Sequence, residues 1–89
     1  MEIKKNATAG TMESSDVYVE IEPNAAGVEL ELESVVMAQF GDAIRATVKQ
    51  VLDENGVENA KVRVVDRGAR ECVIRARVET ALIRGKGEA

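Results

Sequence analysis

Two adjacent hydroxyls, Ser14 and Ser15, stand in a short acidic stretch led by a glycine, Gly10-Thr11-Met12-Glu13-Ser14-Ser15-Asp16. A serine can act as the nucleophile of an enzyme, but only if a base removes its proton. The chain contains no histidine, so the usual base is missing. No lysine stands beside Ser14, and the flanking acids do not activate a hydroxyl. Ser14 is therefore read as an acceptor, onto which another enzyme, bringing its own base, transfers a group. The local residue types suit that role. Gly10 frees the backbone, and Ser14, Ser15 and Asp16 bond to nearby backbone groups in turns. This composition predicts an exposed loop over 10–16, mobile in the free protein. Taken alone, the stretch reads first as a solvated turn leading into a strand. Exposed loops on a rigid scaffold are, however, where function concentrates.

Composition narrows the classes. The 89 residues suffice for one small domain and not for two. With 45% apolar and 31% charged residues, the chain has a globular rather than a disordered mixture. Tyr18 and Phe40 are the only aromatics, so the core must be Val, Leu, Ile and Ala. A net charge of -4 argues against nucleic acid, whose phosphates call for a basic face. The scarcity of stacking rings argues the same way. No apolar run has bilayer length, and Lys4 and Lys5 are followed by no hydrophobic stretch, so neither a membrane span nor a signal peptide is expected. The expected location is the cytoplasm. The single Cys72 can form neither an internal disulfide nor a thiolate metal cluster, and its expected place is a small buried one. No metal site and no catalytic constellation emerge. The chain looks like something acted upon.

The elements that must hold the loop follow from hydrophobic periodicity. Met1 to Ala9 has no period long enough to assign and reads as a mobile arm or a short helical turn. Val17, Val19 and Ile21 alternate with Tyr18, Glu20 and Glu22, a half-buried strand. Pro23 to Gly27 is a turn. Val28, Leu30 and Leu32 then alternate with Glu29, Glu31 and Glu33, and the two strands are expected to pair as an antiparallel hairpin. Its acidic face reads as a solvated surface kept monomeric by charge, or as a docking surface for a basic partner. Ser34 is the expected N-cap of a helix carrying Val36, Phe40, Ile44, Val48 and Leu52 as its inner stripe, so Phe40 and Ile44 are expected in the core. Asn55-Gly56 closes that helix. Val62 and Val64 mark a third strand. Ala69 to Arg84 is strand-like at residues 70–76, but its length and the face formed by Ile74, Val78, Ala81 and Leu82 favour a second helix. The order β-β-α-β-α predicts a two-layer α+β sandwich with its helices on one face of a small sheet. The division expected is a flexible arm and modification loop over 1–16, a folded core over 17–84 and a frayed tail over 85–89.

Three blocks resemble one family. Residues Ala9-Gly10-Thr11-Met12-Glu13-Ser14-Ser15-Asp16-Val17 resemble the modification loop of the acyl carrier protein of citrate lyase, its γ subunit. Gln39-Phe40-Gly41-Asp42-Ala43-Ile44 resembles the central helix of that family, and Cys72 to Leu82 its closing segment. The loop lacks the Asp-Ser-Leu pattern of fatty-acid-type carriers, and the strands exclude their four-helix bundle. The resemblance implies a non-catalytic subunit of the lyase complex. Ser14 would carry 2'-(5''-phosphoribosyl)-3'-dephospho-CoA through a phosphodiester, and the thiol of that arm would hold acetyl or citryl. The implied partners are the α subunit (acyl transferase), the β subunit (citryl lyase), the prosthetic-group transferase and an acetylating ligase. The family places the group on the first serine of the pair; physics alone does not separate the two. Without the resemblance, a small regulatory or structural domain docking on a larger enzyme fits the same composition.

Overall fold

Alternating β-branched residues and two amphipathic segments build two layers in the computed structural model, which describes residues 1–87. The elements are β1 (Ala7–Gly10), β2 (Val17–Glu22), β3 (Val28–Ser34), α1 (Met37–Glu54), β4 (Ala60–Asp66) and α2 (Glu71–Gly85). The strands form one sheet in the order β1-β2-β4-β3. Both helices cover one face, where Val17, Val19, Ile21, Val62 and Val64 meet Val48, Val51, Leu52, Val78 and Leu82. The expected α+β sandwich with helices on one face is therefore present, and residues 70–76 enter α2 as helix rather than strand.

The strand pairing differs from the reading. An antiparallel hairpin exists, but its arms are β1 and β2, with Gly10 opposite Tyr18 and Ala7 opposite Ile21. Strands β2 and β3 do not touch. β4 lies between them, antiparallel to β2 and parallel to β3. The reason is electrostatic as well as topological. A direct β2–β3 hairpin would bring the glutamates of the two strands together, and like charges on paired strands repel. With β4 inserted, Arg63 stands between Glu20 and Glu31, and Lys61 between Glu22 and Glu29. Arg63 Nη1 reaches Glu20 Oε1 at 2.7 Å. Residues 23–27 step across the end of β4, a distance of about two strand spacings, or about 10 Å. The crossing is pinned where Asn59 Oδ1 accepts from the Gly27 N–H at 2.7 Å and Ala60 N–H donates to the Gly27 carbonyl.

The segment read as an arm also belongs to the fold. Ala7–Gly10 is an edge strand, Ile3 is buried, and the Lys4 and Lys5 amides donate to the Gly85 carbonyl. Gly85, placed in the frayed tail by the sequence reading, is the buried last residue of α2; residues 88 and 89 of that tail lie outside the described residues. At the end of α1 the expected glycine cap is present. Gly56 has φ +66°, its N–H donates to Asp53 O, and the Val57 N–H donates to Leu52 O, the paired bonds of a Schellman motif.

Three side-chain expectations fail at the starts of the helices. Ser34 is the last residue of β3, and Val36 is the N-cap of α1. The Ser34 hydroxyl instead donates to Asp66 Oδ2 at 2.8 Å and accepts from the Val36 N–H. Phe40 is 53% exposed, whereas Ile44 is buried as expected. Cys72 is exposed. Phe40 and Cys72 both fall in the first turn of their helices, before the apolar stripe has reached the sheet. Phe40→Ala is accordingly expected to lower stability by about 1 kcal/mol or less, not by the several kcal/mol of a buried ring. The shift of the urea midpoint measures it.

Candidate functional site

The loop joining β1 to β2 carries the two serines, and the fold places it at the end of the sheet where β4 also finishes. Its shape is a β-turn: the Asp16 N–H donates to Glu13 O at 3.2 Å, which puts Ser14 and Ser15 at the two central positions. Ser15 has φ +66°, a left-handed conformation uncommon outside glycine and asparagine. Its N–H donates to Arg67 O at 2.8 Å, and the Arg67 N–H returns a bond to Asp16 O at 2.9 Å. Both serine side chains are exposed. The turn thus distinguishes the two residues: Ser15 is fixed through its backbone to the end of β4, while Ser14 occupies the leading position of the turn.

Asp16 anchors the loop. Its Oδ2 accepts from Thr11 Oγ1 at 2.7 Å, and its Oδ1 accepts from the Val17 N–H at 2.7 Å. From α2, Arg77 donates to both oxygens, Nε to Oδ1 at 3.1 Å and Nη2 to Oδ2 at 3.2 Å, the two-pronged geometry that suits a guanidinium and a carboxylate. Thr11 Oγ1 in turn accepts from the Glu13 N–H. One turn pair further along α2, Arg84 donates to the Thr8 carbonyl of β1 at 2.8 Å. The Thr11 hydroxyl, the Val17 amide and Arg77 together hold the Asp16 carboxyl down at about 2, against an ordinary 3.8.

Because the folded value lies below the unfolded one, Asp16 stabilises the fold fully above about pH 4, and the contribution disappears as pH falls through about 2. The effect is on the order of 1–2 kcal/mol once solvent screening at this partly wet pair is discounted. In urea titrations the stability gap between the wild type and Asp16→Asn is expected to close between about pH 4 and pH 2. A gap independent of pH would contradict it.

Sequence reasoning singled out Ser14 and its loop as the candidate, but not what holds the loop. Thr11 lay within the stretch without a role, and Arg77 lies 61 positions from Asp16, with no local pattern to join them. The composition suggests a mobile loop; in the structure Thr11, Ser15 and Asp16 make specific bonds, while residues 11–15 are all exposed. Beyond Arg67, Gly68 and Ala69 lead into an apolar groove of about 310 Å³ between the starts of α1 and α2, lined also by Val36, Phe40, Ile44 and Ile74. Among the described residues no cluster of metal-ligating side chains occurs, and no helix is long and apolar enough to cross a membrane.

Residues 4–85 match the family described as "Malonate decarboxylase delta subunit (MdcD)", an acyl carrier protein family. The chain is also 54% identical to the citrate lyase acyl carrier protein of Escherichia fergusonii over 94% of its own length and 88% of the relative's. It is 47% identical to the citrate lyase acyl carrier protein of Latilactobacillus sakei over 99% of its length and 87% of the relative's. The chain belongs to the citrate lyase acyl carrier protein family, whose members are carriers rather than catalysts. Its fold is shared with a chain of a Pseudomonas malonate decarboxylase hetero-tetramer solved with malonate, at TM-score 0.79 and 21% identity, covering 90% of this chain and 82% of that one.

Proposed function

We propose that this chain is the acyl carrier subunit of citrate lyase and that Ser14 is its attachment residue. The observation that carries the reading is the exposed Ser14 at the leading position of the Glu13–Asp16 turn, on a chain of this family. The group attached is 2'-(5''-phosphoribosyl)-3'-dephospho-CoA, joined through a phosphodiester. When bound, it supplies a terminal thiol on which acetyl or citryl is held as a thioester while citrate is cleaved to acetate and oxaloacetate.

The residues present fit that attachment. Ser14 projects where a transferase can reach it, and the transferase supplies the base that accepts the hydroxyl proton. Ser14 Oγ then forms the new bond to the donor's phosphorus, a phosphoanhydride bond of the donor breaks, and the outer phosphates leave. The chain contributes no acid or base of its own; it contributes placement. Tethering makes each encounter of the acyl group with a partner's active site effectively intramolecular. The partners are the α subunit, which exchanges acetyl for citryl, the β subunit, which cleaves the citryl thioester, the prosthetic-group transferase and the ligase that acetylates the arm. All of them work in the cytoplasm.

The intact mass of the protein purified from its native host tests the reading. A single covalent increment of the size of the phosphoribosyl-dephospho-CoA group is expected, and an unmodified chain from cells that cleave citrate would exclude it.

A further inference from the structure

We propose that Asp16 and Arg77 are positioning residues for loading Ser14: their ion pair latches the modification turn to α2, so that the acceptor hydroxyl is offered in a preset geometry. The inference rests on the reading of Ser14 as the attachment residue. Its basis is the number and arrangement of bonds around one carboxylate. Asp16 is engaged by Thr11 on the incoming side of the turn, by the Val17 amide on the outgoing side, and by Arg77 from an element 61 positions away. The hairpin does not need this pair to form, since β1 and β2 have their own ladder from Ala7 to Gly10. Nor does the Arg77 pair supply most of what Asp16 contributes to stability, because the Arg77 side chain is 42% exposed and half-wet ion pairs contribute little. What the latch does is hold a turn that includes a left-handed serine. Left-handed backbone at a non-glycine residue is strained and persists only where its surroundings impose it. The space for the latch is provided as well. A Cβ on Gly10 would come within 3.3 Å of Arg77 Cδ, so the arginine stem passes over the glycine that opens the loop.

A loop already in its working shape loses less conformational freedom when an enzyme engages it. Removing the latch should therefore weaken productive encounter with the transferase without altering the step that follows docking. In kinetic terms the KM for the carrier rises while kcat stays.

The test uses the unmodified full chain, the prosthetic-group transferase and the activated prosthetic group, with initial rates followed by mass across carrier concentrations. Asp16→Asn and Arg77→Gln are each expected to lower kcat/KM about tenfold or more, through KM. The double variant should be no worse than the poorer single, because both break one device. Val57→Ala, which removes buried bulk beyond the far end of α1, is the control for lost stability and should load like the wild type at a temperature where all variants are folded. Wild-type kinetics in both latch variants, or a loss in Val57→Ala matching theirs, would overturn the proposal. Hydrogen exchange at the Ser15 amide separates this failure from a failure of the Ser14 reading. Exchange about tenfold faster in Asp16→Asn than in the wild type supports the latch whichever serine is loaded; unchanged exchange refutes it.

Discussion

Ser14→Ala is expected to abolish attachment of the prosthetic group completely while leaving the fold as it is. The nearest other hydroxyl is that of Ser15, whose amide is tied to Arg67 O and whose backbone is left-handed, so it is not expected to stand in for Ser14. The Ser14 side chain is exposed, so its removal should change stability by no more than about 0.5 kcal/mol. Ser15→Ala is the informative companion. It should still be loaded, because the bonds that fix residue 15 come from its backbone. Incubating each variant with the transferase and weighing the product gives the result. Loading of Ser14→Ala, or failure of Ser15→Ala alone, would reverse the assignment.

Gly10→Ala is expected to be the most damaging single methyl in this part of the chain. Gly10 has φ +86°, and a Cβ there would lie 1.8 Å from the Val17 carbonyl oxygen. That is a backbone atom in the paired strand, so it cannot swing aside as a side chain would. Alanine would carry about 1–2 kcal/mol of left-handed backbone strain, and the clash would force β1 away from β2 at the point where the loop begins. The combined cost should be about 3 kcal/mol or more, a large part of what a domain this size possesses. Gly27→Ala provides the comparison. It shares a positive φ of +81°, but a Cβ there meets nothing within 4 Å, so only the strain remains. Urea denaturation of the two variants should separate them clearly; equal midpoints would show that the β1–β2 junction gives way easily.

Much of this architecture was legible in the sequence, for identifiable reasons. Alternation at Val17 to Glu22 and at Ala60 to Val64 reports which face of a strand is buried, and those faces are buried. The face of Ile74, Val78, Ala81 and Leu82 reports a helix, and α2 is one. Periodicity says nothing about neighbours, however. The five-residue step from Pro23 to Gly27 suits a hairpin, and only the row of glutamates on both flanking strands, set against Lys61 and Arg63, warned that a basic strand belonged between them. Strand β1 is four residues of Ala, Thr and Gly, too small and too short to show a pattern. Phe40 continues the stripe of α1 in sequence, but the stripe cannot tell where the helix begins to overlie the sheet. At the site, the residue types of the loop pointed to an exposed turn, and Ser14 and Ser15 are exposed in one. Its bracing was hidden, because Arg77 is distant in the chain and an arginine at the edge of a helix's apolar face looks like any solvated one.

Peptide mapping by mass spectrometry of the protein from its native host locates the attached group on the chain. The phosphoribosyl-dephospho-CoA increment is expected on the peptide containing residues 10–16, with fragment ions placing it on Ser14. An increment on Ser15 or elsewhere in the chain would contradict it.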